Sequence, residues 1–170
     1  NQVVRLTAGT HTLNTGSAWV GDSPCRIAGA TVSVAGAAGV ERFELSSGAL
    51  TGSGVLTVSN VMDWTGGTMS GGGATVIAAG ASLNLSGAEQ KTLNGRTLRN
   101  CGTAAWSGAG RIFVQNGAPL RNEAGGVFEV ENDVGYDQDG WSAVGSLHNA
   151  GRLRKTAGTG TTTIQTPFHN

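Results

Sequence analysis

The triplet Leu98-Arg99-Asn100 returns three times towards the end of the chain, each time as an apolar residue, then Arg or His, then Asn. The copies are Leu120-Arg121-Asn122, Leu147-His148-Asn149 and Phe168-His169-Asn170, and the interval between the second and third copies is the longest. A repeat of this length is typical of a solenoid, whose coils bury their apolar sides only by stacking on one another. The triplets therefore predict stacked coils of about 21 residues.

The same period reaches further back into the chain. Trp64 precedes Trp106 by the length of two such coils, and each Trp is followed by Thr or Ser and then by Gly. Leu56 precedes Leu98 by the same interval. The repeat thus extends over residues 56–170, whereas residues 1–54 share its texture in a poorer register.

Short runs of alternating apolar and polar residues lie between these landmarks. Examples are Val55-Leu56-Thr57-Val58 and Val127-Phe128-Glu129-Val130. Strands of this length, separated by turns rich in Gly and Asn, fit three strands per coil, and no window shows the period of a helix. We expect a single all-β domain over residues 1–170, a right-handed parallel β-helix (β-solenoid) of six or seven coils.

Alignment of the repeats predicts the core. Corresponding positions carry Met62, Ala104, Phe128 and Leu153, so large and small side chains alternate between layers. The Asn of each triplet points to the same side of its strand as the apolar residue two positions earlier. We therefore expect these Asn residues to stack inside a corner and to bond one another through their amides. The full predicted core is Leu56, Val58, Met62, Leu98, Ala104, Trp106, Leu120, Phe128, Val130, Leu147 and Leu153.

The composition excludes several classes of function. Charged residues make up 13% of the chain and the net charge is zero, so the sequence lacks the basic surface that nucleic acids require. No apolar run approaches the ~20 residues that cross a membrane as a helix, which argues against membrane insertion. Cys25 and Cys101 are too few for a usual zinc site, and a disulfide between them would have to span several coils. We expect two independent thiols.

The repeat units carry a resemblance to a known class of proteins. Leu98-Arg-Asn-x-Gly102, Leu147-His-Asn-Ala-Gly151, Trp64-Thr-Gly-Gly-Thr68 and Val76-Ile-Ala-Ala-Gly-Ala81 resemble the β-helical repeat regions of large bacterial secreted and surface proteins, such as adhesins and autotransporter passengers. The resemblance implies an extracellular or cell-surface location and a structural or adhesive role. It does not identify a ligand; glycans and cell-surface components are the candidate partners.

The densest group of acids lies between Glu129 and Gly140, in what the spacing indicates is an insertion over Asn132–Asp139. Asp137-x-Asp139-Gly140 is half of a calcium-binding loop, but no Glu follows at the spacing that an EF-hand requires. A solvated surface insertion is the favoured interpretation. Calcium at Asp137 and Asp139 is the alternative and the single candidate cofactor.

An enzyme is not predicted, although polysaccharide lyases and hydrolases often use this fold. Glu129 aligns with Arg154 of the next coil, and this pair fits a salt bridge better than a catalytic dyad. His148 and His169 fall in an outward column with Arg99 and Arg121, without a nucleophile beside them. No catalytic residues are therefore assigned, and a carbohydrate-binding or carbohydrate-active domain is the alternative to the structural module.

Four Trp residues offer flat faces that sugars could stack on. Trp64 and Trp106 share a repeat position and are interpreted as core, whereas Trp141 is the candidate ligand residue. An ice-binding face would need regular threonine ladders, but the Thr residues of segment 159–166 crowd into one coil.

The final triplet, Phe168-His169-Asn170, predicts that another coil follows in a longer repeat protein. An uncharged strand edge at this end would pair with another chain, so we expect end-to-end association of the isolated piece.

Overall fold

The computed structural model describes residues 2–170, and within that range it contains strands, turns and no helix. The strands join in one sheet, and the pairings between them are parallel. Asn1, the first residue of the predicted domain, lies outside the described residues. No helix in residues 2–170 is long and apolar enough to span a membrane. The predicted all-β solenoid is confirmed.

The strands are short except where three of them run through a corner. In chain order they are β1 Val4–Leu6, β2 Thr10–Leu13, β3 Ala18–Trp19, β4 Cys25–Val34, β5 Ala38–Thr51, β6 Val55–Trp64, β7 Gly67–Ser70, β8 Ala74–Ile77, β9 Ser82–Leu85, β10 Lys91–Asn94, β11 Thr97–Asn100, β12 Thr103–Trp106, β13 Ile112–Gln115, β14 Pro119–Asn122, β15 Val127–Val130, β16 Tyr136–Gln138, β17 Ser146–Asn149, β18 Arg152–Lys155 and β19 Phe168–His169.

Each coil contributes one strand segment to each of three faces. Face A stacks β3, the start of β5, the start of β6, β8, β11, β14, β17 and β19. Face B stacks β1, the start of β4, the middle of β5, the end of β6, β9, β12, β15 and β18. Face C stacks β2, the ends of β4 and β5, β7, β10, β13 and β16.

The solenoid has about eight turns, where we expected six or seven. A coil of about 21 residues already gives about eight turns in a chain of 170, so the expected number was too low for the predicted period. The coil length varies along the chain. On face B, Arg26 aligns with Glu44 at a sequence separation of 18, and Glu44 aligns with Asp63 after a coil of nearly the same length. The next coil is longer, since Asp63 aligns with Asn84 at a separation of 21.

The predicted core register is correct. Met62, Ala104, Phe128 and Leu153 lie in one column of face B, and the first three are buried. Leu153 is only partly buried, because β18 is the last strand of its face and no strand covers it within the described residues. The other predicted core residues are buried as expected.

The asparagine ladder forms as predicted. Asn100 Nδ2 donates to Asn122 Oδ1 over 2.8 Å, Asn122 Nδ2 donates to Asn149 Oδ1 over 2.8 Å, and Asn149 donates to Asn170 over 2.5 Å. The amides also serve the corner backbone, since Asn122 Nδ2 reaches the carbonyl oxygens of Gly126 and Arg152. Buried amides must find partners, and the ladder supplies them from coil to coil.

The predicted insertion is real but lies elsewhere. Residues Tyr136–Gln138 form β16, a regular strand of face C, so Asn132–Asp139 is not an added turn. The extra length of this coil lies in two corners, residues 123–126 and residues 139–145, as the strand pairs on either side of them show. The acidic run misled the sequence interpretation because it resembles a loop in composition.

Arg96 is fully buried at the corner between faces C and A, without a carboxylate partner in the described residues. Its guanidinium donates to the carbonyl oxygens of Gly52, Gly54 and Ala74 and to Thr75 Oγ1, over 2.7–3.2 Å. Burial lowers the pKa of Arg96 to about 10, which leaves it charged at neutral pH. One side chain thus joins three successive coils.

Candidate functional site

The outward side chains of the three faces are the residues available for function, because the inward ones are committed to the core. Along each strand these side chains alternate, and along the solenoid axis they stack at ~4.8 Å. Each outward position therefore forms a column that runs up the solenoid. The three faces differ enough in chemistry to be described separately.

Face C carries two parallel columns of small polar side chains, which we name the hydroxyl face. The strand pairs place Thr-x-Thr, Thr-x-Ser or a close variant in register on successive coils. One column is Thr10, Thr31, Ala49, Thr68 and Thr92, and the other is Thr12, Ser33, Thr51, Ser70 and Asn94. The two columns are about 7 Å apart, the distance between alternate residues of a strand. No member is charged.

Most hydroxyls of this face have no hydrogen-bond partner in the protein. Within residues 2–170, Thr92 Oγ1 accepts from Gln90 Nε2 over 3.1 Å and Asn94 Oδ1 accepts from Asn116 Nδ2 over 2.6 Å. No side-chain hydrogen bond of the described residues involves the others of the two columns. Each hydroxyl can donate one hydrogen bond and accept two. The face therefore offers a regular array of free donors and acceptors.

Sequence reasoning missed this array. It considered the Thr residues near the end of the chain, but these lie in the irregular segment that follows β18. The true ladder was hidden because its members follow at unequal intervals, with a short step from Thr31 to Ala49 and a long one from Thr68 to Thr92. The signal present in the sequence was the pattern Thr-x-Thr or Thr-x-Ser, in which two hydroxyl residues of a short strand are separated by one position.

Face A carries a column of cations and imidazoles in its second half, which we name the basic column. It consists of Arg99, Arg121, His148 and His169, in register on four consecutive coils. The sequence predicted this column and its outward direction correctly. Earlier coils of the same column carry Thr57 and Val76 instead, so the charge is confined to one half of the face.

Face B carries polar side-chain pairs between neighbouring coils, and two of the three are ion pairs. Arg26 Nε lies 2.6 Å from Glu44 Oε2, Asn84 Nδ2 donates to Asp63 Oδ1 over 2.8 Å, and Arg154 pairs with Glu129. The predicted salt bridge between Glu129 and Arg154 is therefore confirmed. Each pair bridges two coils on an exposed surface and contributes about 0.2–1 kcal/mol.

The two calcium candidates make separate contacts. Asp139 caps its own loop, because its Oδ1 accepts from Ser142 N over 2.9 Å and its Oδ2 accepts from Gln115 Nε2 over 2.8 Å. These hydrogen bonds, those of Ser142 above all, lower the pKa of Asp139 to about 2. Asp137 pairs with Arg111 Nη1 at 3.4 Å. Within residues 2–170, no cluster of three or more His, Cys, Asp or Glu side chains is arranged to hold a metal.

The Trp residues divide as the sequence indicated. Trp64 and Trp106 lie in one inward column, separated by Leu85, and are buried. Trp141 is 96% exposed on the corner loop 139–145, which Asp139 holds. The structure thus presents the ring of Trp141 to solvent, and its role as a ligand residue stays a prediction.

The two cysteines are free, as expected. Cys25 lies in the inward column of face B, and burial raises the pKa of its thiol. Cys101 is half-buried in the corner that follows Asn100. Neither thiol lies on the hydroxyl face or in the basic column.

Comparison of the chain with protein-family models, with curated proteins and with solved structures finds no match. The fold and the outward surfaces of the three faces are therefore the features that bear on function.

Proposed function

We propose that this chain is a non-catalytic structural and adhesive module, a stiff segment of a secreted or cell-surface protein. The observation that carries the proposal is the continuous parallel ladder from β1 to β18 on face B and its counterparts on the other two faces. Each coil from β4 to β15 is bonded to its neighbours on all three faces. The first and last strands of face B are about 34 Å apart at the usual strand spacing.

A rod of this kind leaves its outward positions free to vary. Solenoids use such surfaces for extended binding, since the core and the backbone ladder maintain the fold without them. The hydroxyl face, the charge pairs of face B and the basic column show how different the three surfaces are. The location outside the cell is supported by the resemblance of the repeat units to those of bacterial surface proteins.

The mechanical part of the proposal can be tested by a distance measurement. Spin labels at Arg5→Cys and Arg154→Cys, both outward on face B, should give a single narrow distance in a background of Cys25→Ser and Cys101→Ser. A broad distribution would show that the solenoid bends and would contradict a stiff spacer. The location is tested by an antibody against the chain, which should label intact cells of the source organism; labelling only after permeabilisation would contradict it.

A second function, binding of a neutral polysaccharide, is favoured by the hydroxyl face. An uncharged array of hydroxyls at regular spacing can exchange hydrogen bonds with sugar hydroxyls along an extended chain. Binding would use polar contacts over about five coils in place of a deep pocket. The exposed Trp141 offers a stacking site, but it lies on a corner loop outside this face.

A glycan array on matched variants separates these surfaces. Thr51→Lys and Thr68→Lys place bulky charges in the two columns of the hydroxyl face, and Thr57→Lys on face A is the matched control. Binding that is lost in the first two variants and kept in the control supports the hydroxyl face. Binding that is lost only in Trp141→Ala assigns the site to the corner loop. Absence of glycan binding by the unmodified chain contradicts this second function.

A further inference from the structure

The basic column of face A has a charge pattern that the structural role does not require. Four coils in succession place Arg99, Arg121, His148 and His169 at the same outward position. Stacked like charges repel, so a column of this kind is unfavourable for the fold by itself. Over three coil intervals it extends about 14 Å along the solenoid axis.

The two arginines of the basic column differ in whether they have an acidic partner. Arg99 Nε lies 2.7 Å from Glu123 Oε1, and this ion pair raises the pKa of Arg99. Arg121 is exposed, and within residues 2–170 its guanidinium has no ion pair or side-chain hydrogen bond. Its planar donors are thus available to a carboxylate or sulfate group.

The two imidazoles continue the column beyond Arg121. The rings of His148 and His169 are stacked, with centroids 4.5 Å apart and planes at 17°. His148 Nε2 also lies 2.9 Å from Ser146 Oγ. Partial burial, Arg121 and His169 lower the pKa of His148, and Glu123 opposes that shift. Protonation of an imidazole would add positive charge to a column in which Glu123 already pairs with Arg99.

A groove of about 260 Å³ runs beside these side chains, between the column and the corner that follows it. Its lining includes Arg121, His148, His169 and the carboxylate of Glu123. Another titratable group near the column is Cys101, which lies beside Arg99. The groove thus combines donors for an acidic group with an acceptor for hydroxyl groups.

We propose that the basic column binds an acidic polysaccharide along the solenoid axis, and that protonation of His148 and His169 strengthens the binding. This inference rests on the adhesive part of the proposed function and names the class of ligand. Arg121 binds one acidic group at any pH, and the imidazoles bind the next groups once they are protonated. Glu123 accepts a hydrogen bond from a sugar hydroxyl between them.

An acidic polysaccharide fits this surface better than a nucleic acid does. Binding of nucleic acids depends on neutralising many phosphates with Lys and Arg, and here a single guanidinium of the column lacks an acid partner. The chain as a whole has no net charge. Glu123 would repel a closely spaced row of phosphates, whereas it suits a chain that alternates acidic groups with hydroxyls.

The test uses short dextran sulfate, because its sulfate esters stay ionised and any pH dependence must come from the protein. Calorimetry should show binding about tenfold or more tighter at about pH 5 than at about pH 8, because the ordinary histidine pKa is about 6.5 and that of His148 is lowered. Arg121→Gln should weaken binding at both pH values, and His148→Gln should reduce the pH dependence. Arg5→Gln and His11→Gln, exposed residues on faces B and C, are the matched controls and should change neither.

Nuclear magnetic resonance gives a second readout on the unmodified chain. Dextran sulfate should raise the pH at which the His148 and His169 rings titrate, because an anion that binds the protonated ring favours protonation. Neutral dextran should leave both titrations unchanged. An unshifted titration, or an unaltered pH dependence in folded His148→Gln, would overturn the proposal.

Two further outcomes are decisive. Oligothymidylate that binds as tightly as dextran sulfate would show a general polyanion site and would overturn the assignment to polysaccharides. Absence of any binding by the unmodified chain would also overturn it. The spin-label distance is measured independently, so failure here would leave the stiff module standing, and a bent solenoid could still bind dextran sulfate.

Discussion

The corners of the solenoid are built differently in two regions, the coils over residues 25–69 and the coils over residues 91–149. In the first region the coils are short, as between Arg26 and Glu44 at a sequence separation of 18, and the long strands β4, β5 and β6 bend through corners with small register shifts. In the second region the coils are longer, as between Asn100 and Asn122 at a separation of 22, and short strands alternate with turns. The same backbone ladder is maintained in both.

The difference lies in how the corner backbone finds hydrogen bonds. Where a strand runs through the corner, as β6 does after Val58, the parallel ladder itself supplies most of them, and the inward position stays apolar. Where turn residues are added, Asn100 and Asn122 occupy the same inward position and bond the turn. The Asn ladder thus bonds the turn where the strand ends at the corner, after Asn100 and Asn122 alike. Corner length alone does not decide where an amide is used, because the corner after Ile77 is as long as the one after Asn122 and has an apolar inward residue.

The core column of face B gives the largest expected effect on stability. Phe43 belongs to the short coils and Phe128 to the long ones, and both are buried in the same column. Phe43→Ala and Phe128→Ala should each lower the free energy of unfolding by ~3–5 kcal/mol. Urea titration measures both, and a loss below about 1 kcal/mol at Phe128 would show that the register is wrong.

The Asn ladder gives the next effect. Asn122→Leu removes the amide that bonds Asn100, Asn149 and two corner carbonyls, so we expect a loss of about 2–4 kcal/mol. Ile77→Leu, at the same inward position in a coil without the ladder, should cost less than about 1.5 kcal/mol. Equal losses of unfolding free energy in the two variants would mean that the ladder contributes packing and no net hydrogen bonding.

The two core Trp residues form a finer test of the same comparison. Trp106 Nε1 donates to the Gly110 carbonyl oxygen over 3.1 Å, whereas Trp64 Nε1 is buried without a partner in the described residues. Trp106→Phe should therefore cost about 1–2 kcal/mol more than Trp64→Phe, since only the first breaks a hydrogen bond. Thermal unfolding of both variants measures the difference, and a larger cost at Trp64 would contradict it.

The smallest effect is expected at the corner loop of the long coils. The oxygens of Asp139 already accept hydrogen bonds from Ser142, Trp141 and Gln115, so a chelator should leave the melting temperature unchanged. The pKa of Asp139 lies below its unfolded value, so its stabilising contribution is present above about pH 4 and is lost as the pH falls towards about 2. A chelator-sensitive melting temperature would favour calcium at Asp137 and Asp139.

The sequence predicted the second half of the solenoid well, because its corners need residues that leave a visible mark. Asn100, Asn122 and Asn149 recur where amides are needed, and the column of Met62, Ala104 and Phe128 followed from that register. The first half gave poorer predictions because a strand that bends through a corner needs no special residue there.

The outward surfaces could be predicted from the sequence only where they follow the register of the triplet repeat. The basic column was found because Arg121 and His148 belong to the triplets that defined the repeat. The hydroxyl face was missed because Thr31 and Thr68 occupy coils of irregular length, and their alignment depends on pairings that the sequence does not display.

The Asn ladder also bears on how a gene for such a protein can lengthen. Within the ladder each amide bonds only the amide above and the amide below, and its other partners are backbone groups of the adjoining corners. A duplicated segment running from the residue after Asn100 to Asn122 would therefore enter the stack beside partners of the right kind. In-frame duplication of one such unit is therefore expected to add a coil without redesign of the rest. The length of the solenoid is therefore expected to change in steps of one coil.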